Sequence, residues 1–131
     1  MDEDRIVTEL FLEKPNFKEV SRVAKELEKA GVKVLIMPPE DRGINAHLII
    51  ENSDLQKART KLKALGVEAQ DKEVIIIRLE NKPGTMADAA KKIADKGVNL
   101  IYAFSVAMTP TMSYVLLGAS DNHAALKALK S

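Results

Sequence analysis

The 131-residue chain is written twice, and that repetition limits the folds open to it. Ile6 to Leu12 reads as a strand, and Glu13-Lys14-Pro15-Asn16 breaks it. Phe17, Val20, Val23, Ala24 and Leu27 then mark one face of a helix stopped at Gly31. The same order returns as Val74 to Leu79, Asn81-Lys82-Pro83-Gly84, and a helix with Met86, Ala89, Ala90, Ile93 and Ala94 on one face, stopped at Gly97. Both helices leave through one phrase, Gly31-Val32-Lys33-Val34-Leu35-Ile36 answering Gly97-Val98-Asn99-Leu100-Ile101. Each half then makes a hairpin, around residues 38–43 and 108–111, with His47 to Glu51 and Tyr114 to Leu117 as return limbs. Ser53-Asp54 and Ser120-Asp121 read as N-caps of two closing helices, whose buried faces are Leu55, Ala58, Leu62, Leu65 and Ala125, Leu126, Leu129. A period of about 66 to 68 residues is too long for a solenoid and suits tandem small domains.

The repeated unit is therefore strand, helix, strand, strand, helix. In the first half Gly66 closes the second helix, and Val67-Glu68-Ala69 is expected to supply a fourth strand. That gives an α+β class of two tandem ferredoxin-like βαββαβ units, each an antiparallel sheet with its helices on one face. The expected boundaries are 1–70 and 71–131. The second half lacks its own final strand, so its sheet edge is expected to be closed by the N-terminal strand or by a neighbouring chain. Units of roughly 65 residues lie near the lower limit for independent folding.

Val74-Ile75-Ile76-Ile77 and Tyr114-Val115-Leu116-Leu117 place apolar side chains on both sheet faces, whereas a face left to water should be polar. A homodimer or higher homo-oligomer is the expectation, with cover by the chain's own halves as the alternative. At roughly 25 cal/mol per Å2, a few hundred Å2 of apolar contact contributes several kcal/mol before association costs.

The loop from Asn81 to Gly84 draws attention because a strand runs through Pro-Gly into a helix N-terminus. Pro83 donates nothing to a ladder, Gly84 lets backbone approach a bound molecule, and the first helical N–H groups attract a carboxylate or phosphate. Asn81 both donates and accepts. As a bare motif this is more often an ordinary turn, with Asn81 a turn residue and Asn99 a polar strand start.

Charge and residue usage exclude several classes. Lys+Arg 20 against Asp+Glu 19 leaves a net charge of +1, and the strands are aliphatic, so no nucleic-acid partner is expected. The apolar runs are strand-length, short of the ~20 residues of a membrane span, and the acidic start Asp2-Glu3-Asp4 is unlike a signal peptide, so a cytoplasmic address is expected. With no cysteine there is no disulfide, thiolate nucleophile or cysteine metal site. His47 and His123 lack a second histidine at ligand spacing. Glu40-Asp41 sits in a polar loop, and Ser105 and Ser113 have no identifiable base. No Walker loop, nucleophile elbow or zincin helix appears. No enzyme, cofactor or metal is expected.

With Leu79-Glu80-Asn81-Lys82-Pro83-Gly84, the following helix and Lys96-Gly97-Val98-Asn99-Leu100, the second half resembles the ACT domain, the amino-acid-sensing module of metabolic regulation. The whole chain is similar to stand-alone tandem ACT proteins, and Tyr102-Ala103-Phe104 resembles their second repeat. The first half is the weaker copy: Glu13 stands for Asn81, Asn16 for Gly84 and Lys33 for Asn99. The resemblance implies units paired side by side, with an amino acid held between the strand-to-helix loop of one and the second strand of its partner. The matching positions are Asn81, Lys82, Pro83, Gly84, Thr85 and Met86 on the loop, and Asn99, Leu100 and Ile101 on the strand. Leu79 replaces a His found in serine-sensing members, which leaves room for an apolar ligand side chain. The implied protein is a non-catalytic regulator, with a metabolic enzyme as a further candidate partner. The alternative is an interaction or oligomerisation module that binds no ligand.

Overall fold

The computed structural model describes residues 4–13, 15–38 and 45–131, with nothing stated for the side chain of Phe17. The expected turn at 39–43, together with Lys14, Asp2-Glu3 and Glu40-Asp41, lies outside the described residues. The elements run β1 (Arg5–Leu12), α1 (Phe17–Lys29), β2 (Val34–Ile36), β3 (Ala46–Glu51), α2 (Leu55–Leu65), β4 (Gln70–Glu80), α3 (Thr85–Asp95), β5 (Leu100–Met108), β6 (Met112–Ala119) and α4 (Asn122–Lys130). The chain divides into two compact units, Val7–Lys72 and Glu73–Ser131 together with Met1–Ile6.

In the first unit the strand order is β2-β3-β1, antiparallel throughout. Thr8, Leu10 and Leu12 of β1 face Ile50, Leu48 and Ala46 of β3. Leu10, Leu12, Leu48 and Ile50 join Val23 and Leu27 of α1 and Ala58 and Leu62 of α2 in one core. The alternate β1 side chains lie on the other face, where Glu9 is buried in mid-strand at 5% exposure. His47 Nδ1 meets Glu9 Oε1, and Lys72 Nζ lies 3.3 Å from Oε2 without hydrogen-bond alignment. A carboxylate buried this deeply requires such partners.

The second unit repeats the plan as β4-β6-β5. Ile75 and Ile77 face Leu117 and Val115, and with Ile93 of α3 and Ala125 of α4 they form its core. Ile6 packs against this core, and Asp4 Oδ1 accepts from the Arg78 amide at 2.8 Å. The N-terminal segment thus lies against the strand whose edge was expected to need closing. On the face away from the helices, Val74, Ile76 and Leu116 are each only 1% exposed in the single chain. These residues therefore do not by themselves call for a partner molecule. The exposed apolar side chains of this unit stand on β5 instead, with Ile101 at 67%, Met108 at 64% and Phe104 at 39%. Tyr102 stacks on Phe104, and its ring lies over Gly118, where a Cβ would collide with it.

Three helices end by one device. Gly31, Gly66 and Gly97 have φ of +85°, +70° and +76°, and the next residue's amide returns to the carbonyl five positions back: Val32 to Leu27 at 2.9 Å, Val67 to Leu62 at 3.0 Å and Val98 to Ile93 at 3.4 Å. Each pair of apolar residues packs in its unit's core, the signature of a Schellman stop. This stop corrects one expectation. Val67–Ala69 is not a strand, because Val67 is still completing the α2 cap, and β4 begins at Gln70. The cap expected at Ser53-Asp54 also differs. Asn52–Asp54 forms a 3-10 turn, the Asp54 side chain caps nothing, and Asn52 Oδ1 accepts from the Thr8 hydroxyl. At Asp121 the expected cap is present, with Oδ1 accepting from the Ala124 amide at 3.0 Å.

Candidate functional site

β4 ends at Glu80, and four exposed residues turn the chain into α3. The turn is built by its own polar groups. Asn81 donates through Nδ2 to the Thr109 carbonyl and through its amide to the Thr111 carbonyl, both at 2.9 Å, which ties the loop to the β5–β6 hairpin. The Thr85 hydroxyl donates back to the Glu80 carbonyl at 2.8 Å and approaches the Lys82 carbonyl at 3.2 Å. Gly84 sits at φ +90°, ψ −13°, a left-handed conformation that a side chain would strain, and nothing lies within 4 Å of where its Cβ would be. Open space there means the glycine serves the backbone turn rather than relieving a steric clash.

As the N-cap of α3, Gly84 supplies no side-chain acceptor. The first-turn N–H groups of the helix therefore have no side-chain cap, and the helix dipole there favours an anion. Asp88 is the acidic residue in this turn. Lys82 Nζ meets Glu80 Oε2 at 2.8 Å on the surface, which holds the Glu80 carboxyl below its ordinary value and the Lys82 ammonium above its own. Met86 is half buried against the core, with Pro83 exposed on the loop.

The second-strand residues stand elsewhere. Asn99 is exposed; its amide donates to Ser120 Oγ at 3.0 Å, and its carbonyl accepts from the Ser120 amide at 2.8 Å. Leu100 pairs with Ala119 at the start of β5, whereas Met108 pairs with Ser113 at its end, beside the Asn81 loop. Nine residues of β5, at about 3.3 Å each, put the two ends of the strand roughly 26–30 Å apart. Within one unit the structure therefore does not bring Asn81 through Met86 together with Asn99, Leu100 and Ile101. A cavity of about 250 Å3 beside Thr85 and Asp88, with Asp4 and Lys92 on its wall, contains none of the strand residues.

The residues weighed for chemistry find local partners. Ser105 and Ser113 hydroxyls bond one another at 3.0 Å, and His123 Nε2 lies 3.1 Å from Glu73 Oε1 on the surface. Among the described residues no three His, Asp or Glu side chains converge on a metal-sized point, and no helix is long and apolar enough to cross a membrane. Sequence reasoning missed the Thr85 hydroxyl bond and the Asn81 tie to Thr109; a Thr at the first helical position after Pro-Gly was the available signal for the former.

Two units of identical strand order, each with its helices on one face, correspond to a family model described as an ACT domain pair, which matches residues 9–128. The chain belongs to the ACT-domain-pair family. Its solved relatives agree in fold. Protein BT0572 from Bacteroides thetaiotaomicron is 21% identical with a TM-score of 0.71, over 97% of this chain and 87% of that one. The ligand-free regulatory subunit of aspartate kinase from Thermus thermophilus is 16% identical with a TM-score of 0.64, over 97% and 93%. Aspartate kinase from Clostridium acetobutylicum is 15% identical with a TM-score of 0.65, this ACT pair covering 96% of itself and 32% of that enzyme. A search of curated proteins gives no match. The same fold thus makes up most of a chain described as a regulatory subunit and about a third of a longer enzyme.

Proposed function

We propose that this ACT pair is a non-catalytic amino-acid-responsive regulator whose ligand sits on the Asn81–Met86 loop. The observation that carries the reading is the N-terminus of α3, where left-handed Gly84 offers amide donors with no side chain to cap them. A carboxylate is their natural acceptor. The ligand's ammonium needs acceptors that this loop does not gather by itself. Because Asn99 to Ile101 lie at the far end of β5, those contacts come from an ACT unit facing the loop in an assembly of chains. Exposed Ile101, Phe104 and Met108 give β5 an apolar surface that suits such an assembly. A ligand that bridges two units stabilises one arrangement of them, and that differential affinity is what a regulated enzyme partner would sense.

Calorimetric titration with the twenty proteinogenic amino acids tests this. At least one is expected to bind, with Asn99→Ala weakening it and Asn16→Ala, in the corresponding loop of the first repeat, leaving it intact. Equal losses in both variants would show that the roles of the repeats are misassigned, and no binding at millimolar concentration would favour an interaction module that takes no ligand.

A further inference from the structure

We infer that the first repeat carries a separate small-molecule site, a cavity of about 740 Å3 that takes an amphoteric ligand with an ammonium, a carboxylate and a compact apolar body. The cavity opens between the end of β1, the C-terminal half of α2 and residues 66–71. Its volume lies within the ~300–1,000 Å3 usual for small-ligand pockets. The space exists because of the α2 stop. Left-handed Gly66 and the Val67 amide bond to Leu62 carry residues 67–69 away from the helix before β4 begins at Gln70.

The lining has three parts. Leu10 and Leu62, 1% and 5% exposed, and half-buried Val67 supply an apolar floor. Arg59 and Asp71 brace one wall through two hydrogen bonds, of 3.0 and 2.8 Å, so that charge pair is already matched. Glu13, Lys63 and Glu68 also line the cavity, and none of them forms an ion pair with another described residue. Carboxylates outnumber cations around the opening, which disfavours a simple anion. A simple cation would leave Lys63 unmatched. A molecule bearing both charges satisfies Lys63 with its carboxylate and Glu13 or Glu68 with its ammonium, while its body covers the floor. This site does not depend on the α3 loop, and one repeat could bind where the other does not.

A 15N–1H NMR titration of the full chain separates the two. The probes are the twenty amino acids, with inorganic phosphate and a simple alkyl diamine as single-sign controls. The expected result is saturable shifts of the Gly66, Val67 and Ala69 amides with at least one amino acid and with neither control. Lys63→Ala and the double change Glu13→Gln/Glu68→Gln, all at exposed positions, should each weaken that binding about tenfold, the effect of losing one charge-assisted hydrogen bond. Shifts confined to Gly84 and Thr85 would overturn the cavity site while supporting the α3 loop. Saturable shifts at residues 66–69 with phosphate or diamine alone, or shifts indifferent to both variants, would overturn the amphoteric ligand; no shift there at millimolar concentration would overturn the site.

Discussion

The two strand-to-helix loops descend from one pattern and have opposite chemistry at the helix they start. In the first repeat Asn16 is the N-cap of α1, and its Oδ1 accepts from the Glu19 amide at 2.7 Å. In the second repeat Gly84 starts α3 in a left-handed conformation and caps nothing. The first loop satisfies its helix from within, whereas the second leaves first-turn donors for an acceptor from outside. One residue type at one position therefore decides whether the helix start is a structural joint or a candidate anion site. The cores behind the loops are alike: Leu27 and Ile93 are both fully buried and both stand four residues before the stopping glycine.

The strongest way to probe that likeness is to truncate both core positions. Leu27→Ala and Ile93→Ala should each cost about 2–5 kcal/mol, measured by denaturant unfolding. A large disparity between them would mean the repeats are not equivalent in packing. Next comes Gly84→Val, where a β-branched residue at φ +90° should cost about 1–3 kcal/mol and abolish amino-acid binding at the loop. Asn16→Ala should cost about 1 kcal/mol through loss of the cap and leave that binding unchanged, which separates a stability effect from a ligand effect. The smallest effect is electrostatic. The Glu80 carboxyl, lowered by its hydrogen bond and charge interaction with Lys82, contributes stability above its ordinary value of 4.5 and loses that contribution as pH falls through its lower folded value. Lys82→Met should remove this part of the acid dependence, as should high salt, because the pair is exposed.

The architecture was legible in the sequence because its signals are local and doubled. Apolar periodicity located α1 to α4 among the described residues, and Gly31, Gly66 and Gly97 announced the stops of the first three. The same rules went astray where a contact outside the local pattern, near or far in sequence, took over. Val67 looks like the start of a strand, but its amide is taken by Leu62 and its side chain by the core. Asp54 looks like a cap, but Asn52 turns to Thr8, 44 residues away in sequence. Glu9 interrupts an apolar strand with a charge whose burial depends on His47 and Lys72, partners that no spacing rule links to it. At the candidate site the resemblance divides the loop and the strand residues between two units, and the register of β5 on β6 adds that within one unit Leu100 stands at the end of β5 away from the loop.

A thermal-shift screen of the full chain against the proteinogenic amino acids, run on wild type, Gly84→Val and Lys63→Ala side by side, tests the central claim most directly. A ligand selective for the native state at a hundredfold excess over Kd stabilises by about 2.7 kcal/mol, a rise of several degrees in Tm for a chain of this size. The account predicts such a rise for at least one amino acid in wild type that Gly84→Val loses and Lys63→Ala, at the separate first-repeat cavity, keeps. A flat screen in wild type, or a rise that Gly84→Val keeps in full for every responding amino acid, would contradict it.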